Sequence, residues 1–125
     1  MKYLQWWKIF ESDYSDREQQ MMDDLSDILL DLGDLNFYTN IESDKYIINI
    51  TISRLRNIKG FIRSDEELVI LREVLNRIKD YGRMNEYLVD LTWIGRINNM
   101  SKEEINKIMD ERRFTMYITM YPKWR

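Results

Sequence analysis

Three times along the chain a Ser stands three residues ahead of a Glu, in Ser15-Asp-Arg-Glu18, Ser64-Asp-Glu-Glu67 and Ser101-Lys-Glu-Glu104. At that spacing the Ser hydroxyl accepts from the backbone N–H of the Glu, and the Glu carboxylate reaches back to the N–H of the Ser, so two otherwise orphaned donors are satisfied. The pattern predicts three helix N-termini. After Ser15, Met21, Leu25, Ile28, Leu29 and Leu32 recur at helical spacing up to Gly33, read as a left-handed stop. After Ser64, Leu68, Leu71, Val74, Leu75, Ile78 and Tyr81 make a second stripe, closed in the same way by Gly82. After Ser101, Ile105 meets Met100 as a hydrophobic staple, and the helix is expected over residues 102–111.

Between these helices the period falls from 3.6 to 2. Tyr46, Ile48, Ile50 and Ile52 alternate with Ile47, Asn49, Thr51 and Ser53, the signature of a strand with one apolar face. Leu35 to Ile41 is its expected hairpin partner, joined through the turn formers Glu42-Ser-Asp-Lys45. Tyr87, Val89, Leu91 and Trp93 mark a third strand, and Phe114, Met116, Ile118 and Met120 a fourth, ended by Pro122, which has no N–H to donate. Near the start, Tyr3, Trp6, Trp7 and Phe10 share one face of a short helix. The order α-α-β-β-α-β-α-β implies a single α+β domain over residues 1–125, a two-layer sandwich with a four-stranded, largely antiparallel sheet and helices on one face.

Composition narrows the chemistry. The 125 residues include no His and no Cys, which removes the ordinary zinc site, the disulfide, the thiol nucleophile and the Ser-His or Cys-His pair. The remaining carboxylates are taken up by helix caps and a solvated ridge, and a domain this small has little depth for a cleft, so no enzyme and no cofactor is expected. Asp90, alone within an apolar strand pattern, is the one acid out of place, and the outward face of a half-buried sheet accounts for it. No apolar run approaches the roughly 20 residues of a membrane helix. A small secreted domain without disulfides is unusual, so a cytoplasmic location is expected.

Charge is unevenly placed. Residues 1–44 hold 11 acids and 3 bases, residues 45–125 hold 11 acids and 16 bases. Asp23, Asp27 and Asp31 follow one another at i, i+4 spacing, with Asp24 beside them and Asp34 just beyond. Like charges so spaced destabilise a helix by a few tenths of a kcal/mol per pair, roughly, and Asp in the last turn opposes the helix dipole. The bland account is the solvated face of an amphipathic helix. The sharper account is a docking surface for a protein with a basic surface, with Trp6 and Trp7 as neighbouring aromatic anchors. Metal binding is disfavoured, because carboxylates along a helix do not converge on a cation.

Arg54, Arg56, Lys59 and Arg63 form the opposite patch, within ten acid-free residues that also hold Leu55, Ile58 and Phe61. This segment suits phosphates, and nucleic-acid or nucleotide binding is the alternative function it offers; pairing with the chain's own acidic helix, or plain solvation, accounts for it as well. Trp124 and the cations Arg112, Arg113, Lys123 and Arg125 are a further, weaker contact region.

The opening Met1-Lys-Tyr-Leu4, leading to Phe10-Glu-Ser12, resembles the start of many small accessory proteins of tailed bacteriophages, and the acidic Asp/Leu-rich helix followed by an Ile-rich hairpin is similar in style. The resemblance covers about a dozen residues by motif, the Trp6-Trp7 pair departs from it, and it transfers no functional residue. It implies a phage accessory or anti-defence factor acting on a host protein in the host cytoplasm. A virion-associated or self-assembling component is a third expectation.

Overall fold

A computed structural model describes residues 2–35, 37–53, 65–111 and 115–123, with the side chains of 2–15 and 109–111 excepted. Among the described residues, four helices and four strands follow in the order α1 (Lys2–Gly33), β1 (Tyr38–Asp44), β2 (Ile47–Ser53), α2 (Asp65–Met84), β3 (Tyr87–Val89), α3 (Thr92–Asn99), α4 (Lys102–Glu111) and β4 (Thr115–Pro122). The strands form one antiparallel sheet in the order β1-β2-β4-β3. This is the expected α+β fold.

The one-sided alternation of β2 and β4 determines where the core lies. Ile48, Ile50 and Ile52 pair with Met120, Ile118 and Met116, and all six are fully buried on the same face. Over that face lie α1, through Met21, Leu25, Ile28 and Leu32, and α2, through Leu71, Val74, Leu75 and Ile78. Ile94 and Ile97 of α3 and Ile105 of α4 complete the same cluster. Each such burial contributes about 1.5–3 kcal/mol, which is what holds helices to sheet against chain entropy.

The element order departs from expectation in two places. The two N-terminal helices are one, running through Ser15 without a break. The cap spacing at Ser15-Glu18 is therefore not used as a start, and Glu18, with Met21 and Leu25, falls on the inward side of the helix. The strand expected through Trp93 stops at Val89. There the Asp90 carboxylate accepts from the Thr92 N–H at 2.9 Å, an Asx-type turn that opens α3, while the Asp90 N–H still donates to Thr119 O. Ile94 and Ile97, three apart, then bury as a helix face, and Trp93 is half-buried with the Arg96 guanidinium 5.5 Å from its ring centre.

The glycines and turns also differ in role. Gly82 lies inside α2 rather than at its end, at a point where a Cβ would run into the Val89 side chain of β3. The residue that takes the left-handed conformation after α2 is Glu86, at φ 60°. Gly33 ends α1 without a left-handed φ. The hairpin turn is two residues long, Lys45 and Tyr46, both at positive φ, so β1 extends to Asp44 and Tyr46 leaves the strand. The Tyr87 hydroxyl donates to the Tyr46 carbonyl at 3.2 Å. Pro122 ends the last ladder as expected, forming its final pair with Tyr87. At the third cap the expectation holds: Ser101 Oγ accepts from the Glu104 N–H at 3.2 Å, and α4 spans Lys102–Glu111.

Candidate functional site

Helical geometry divides the acidic residues of α1 between two environments. Asp24 and Asp31, seven apart, meet side chains of α2. The Tyr81 hydroxyl and the Gln20 amide donate to Asp24, at 2.5 and 2.9 Å, and Arg77 reaches Asp31 at 3.3 Å. Burial first, then the hydrogen bond to Asp24 and its charge, push the Tyr81 hydroxyl pKa well above the ordinary tyrosine value, while Arg17 pulls the other way. The Arg77–Asp31 pair is open to water, with the side chains 53% and 59% exposed, so it supplies little net energy.

Asp23, Asp27 and Asp34 are exposed. Asp23 accepts from the neutral amide of Gln19, at 3.1 Å, and among the described residues no cation of α2 pairs with any of the three. The ridge read as one surface is thus two: an inner pair answered by α2 and an outer set facing solvent. The one base among residues 16–44, Arg17, is drawn aside, because its guanidinium donates to the Asn85 carbonyl just beyond α2, at 2.5 Å. Nine acids share that stretch with it, Glu42 and Asp44 of β1 included.

Asp23, of the outer set, borders a groove of about 420 Å³ between α1 and β1. Met22, Leu29 and Leu30 line it from the helix and Ile41 from the strand; Leu30 is 65% exposed. Asp23, Gln19 and Ser26 form its polar lip, and Thr39 and Asn40 its far wall. Nothing in the sequence singles out this groove, although Leu30, an apolar residue on the polar side of the helical stripe, is the available signal.

The opposite edge of the sheet has the opposite charge. A hollow of about 170 Å³ beside β3 is bordered by Lys79, Arg83 and Lys123, with Leu88 and Leu91 between them. The sheet face away from the helices carries Tyr38, Asn40, Thr51, Tyr117, Thr119 and Tyr121, with Thr119 donating to Asn49 at 3.2 Å. Arg72 caps the end of α3, donating to the carbonyls of Ile97 and Met100.

Trp6 and Trp7 lie in α1, but their side chains, like Arg54, Arg56, Lys59, Arg63, Arg112, Arg113, Trp124 and Arg125, are outside the described residues. Among the described residues no group of three or more Asp or Glu is placed to hold a metal ion, and no helix is long and apolar enough to cross a membrane. No family model, no curated protein and no solved structure matches the chain.

Proposed function

We propose that this chain is a small non-catalytic binding protein that engages a protein partner with a basic surface through the acidic flank formed by α1 and β1. The observation that carries the reading is the pair Asp23 and Asp27, exposed, on a stretch that holds nine acids and a single base, Arg17, itself engaged at Asn85. Carboxylates so placed attract a cationic surface from a distance and disfavour acidic ones, which is how charge contributes association rate and selectivity. The N-terminal resemblance supplies the setting, a phage accessory or anti-defence factor acting on a host protein.

The test isolates the partner captured by the chain in its native cell and measures its affinity for the purified protein across a salt series. Asp23→Asn/Asp27→Asn is expected to weaken binding at least tenfold at low salt and to flatten the salt dependence, with thermal stability unchanged or slightly raised. Equal affinity of this variant and the parent at every salt concentration would overturn the reading.

A further inference from the structure

The outer edge of β1, unpaired among the described residues, gives the acidic flank a geometry as well as a charge. A two-residue hairpin loop makes Asp44 and Ile47 a hydrogen-bonded pair, and the alternation of an antiparallel ladder then turns the N–H and C=O of Thr39, Ile41 and Ser43 away from β2. β1 is the terminal strand of the sheet, and no hydrogen bond from a described residue reaches those outward groups. The α1 groove runs beside this edge. From Gln19 to Leu30 the helix rises about 16 Å, the length of about five extended residues.

We propose that this groove takes an extended peptide segment, which adds to β1 as a fifth strand. Successive side chains of such a segment point to opposite faces. One set enters the groove against Met22, Leu29, Leu30 and Ile41 and is apolar. The other set lies on the open sheet face beside Glu42 and Asp44 and is Lys or Arg, cross-strand pairing of opposite charge being favourable. The recognised chemistry is therefore a strand of alternating apolar and basic residues, held by main-chain bonds and selected by side chains. The far edge of the sheet does not compete for it: β3 is three residues long and is flanked by Lys79, Arg83 and Lys123, which repel a basic strand. This inference rests on the reading above that the acidic flank engages a basic partner, and it specifies the form the partner takes.

The probe is a positional library of synthetic eight-residue peptides, screened by fluorescence polarisation against the full chain, with hydrogen exchange of the protein amides followed by NMR. The expected winners alternate apolar and basic residues, slow the exchange of the Thr39, Ile41 and Ser43 amides at least tenfold, and lose binding when the backbone nitrogens facing β1 are methylated. Leu30→Lys, on a side chain already exposed, is expected to weaken the best peptide at least tenfold, whereas Leu88→Lys on the far edge leaves it unchanged.

Failure of every peptide to bind overturns the inference, as does binding that leaves those three amides exchanging as before. Light scattering that shows the parent chain already dimeric, with the same amides protected, also overturns it and assigns the edge to a second copy. The underlying reading fails separately: if peptides are not bound but a captured basic protein still depends on Asp23 and Asp27, the acidic flank stands and only strand addition is lost.

Discussion

The Tyr81 hydroxyl donates to Asp24 Oδ2 at 2.5 Å, tying α2 to α1 across 57 positions of sequence. A carboxylate that reads in the sequence as part of an exposed ridge is therefore structural. Tyr81→Phe is expected to lower stability by about 1–2 kcal/mol, since the lost hydrogen bond is to a charged acceptor. The raised pKa fixes the sign with pH. The folded state holds the phenolic proton more tightly than the unfolded chain, so this contribution is complete below about pH 10 and is lost as pH climbs above it. Urea denaturation at pH 7 and pH 11 checks both statements; a Tyr81→Phe protein with the same alkaline loss as the parent would sink the second.

Gly82 is a packing residue. Gly82→Ala raises helix propensity but drives a methyl into Val89, and Met120 lies next to the same spot. Overpacking of this kind outweighs the propensity gain, and a net loss of about 1–3 kcal/mol is expected. Denaturation midpoints of the two proteins decide the matter.

Glu18 carries the reverse expectation. Its Oε2 is buried and has no hydrogen-bond partner among the described residues. Glu18→Met removes an unsatisfied polar atom from the inward side of α1 and is expected to stabilise the fold by about 1–3 kcal/mol. A lowered thermal midpoint would show that the carboxylate has a role the packing does not reveal.

Asp31 and Asp23 separate structure from function on one helix. Because Arg77 already meets Asp31, Asp31→Asn is expected to change partner affinity less than Asp23→Asn does. An Asp31–Arg77 double-mutant cycle should give a coupling below about 1 kcal/mol, as exposed pairs do. Equal effects of the two substitutions on binding would contradict the division of the ridge.

Legibility in the sequence tracks how local the physical cause is. β2 and β4 are legible because Ile48-Ile50-Ile52 and Met116-Ile118-Met120 alternate without interruption, and the cap at Ser101 because its partners lie within one turn. The continuity of α1 across Ser15 is hidden because Ser15-Asp-Arg-Glu18 satisfies the capping pattern, although the stripe Phe10, Tyr14, Met21, Leu25 already runs through it with Glu18 in an inward position. The end of β3 is hidden because Tyr87 to Trp93 fits period 2 while Ile94 and Ile97 fit period 3.6, and only Asp90 marks the change. The groove depends on α1 and β1 lying side by side, and the inner acids on α2 meeting α1; both are tertiary relationships that no spacing encodes.

The carboxylates along β1 have one more effect. An unpaired strand edge is a template for its own kind, and two such edges from two molecules would bring Glu42 and Asp44 face to face with their counterparts. That repulsion opposes the pairing of copies. High salt screens those charges and lifts the guard, and the chain should then become prone to stacking edge on edge into insoluble material.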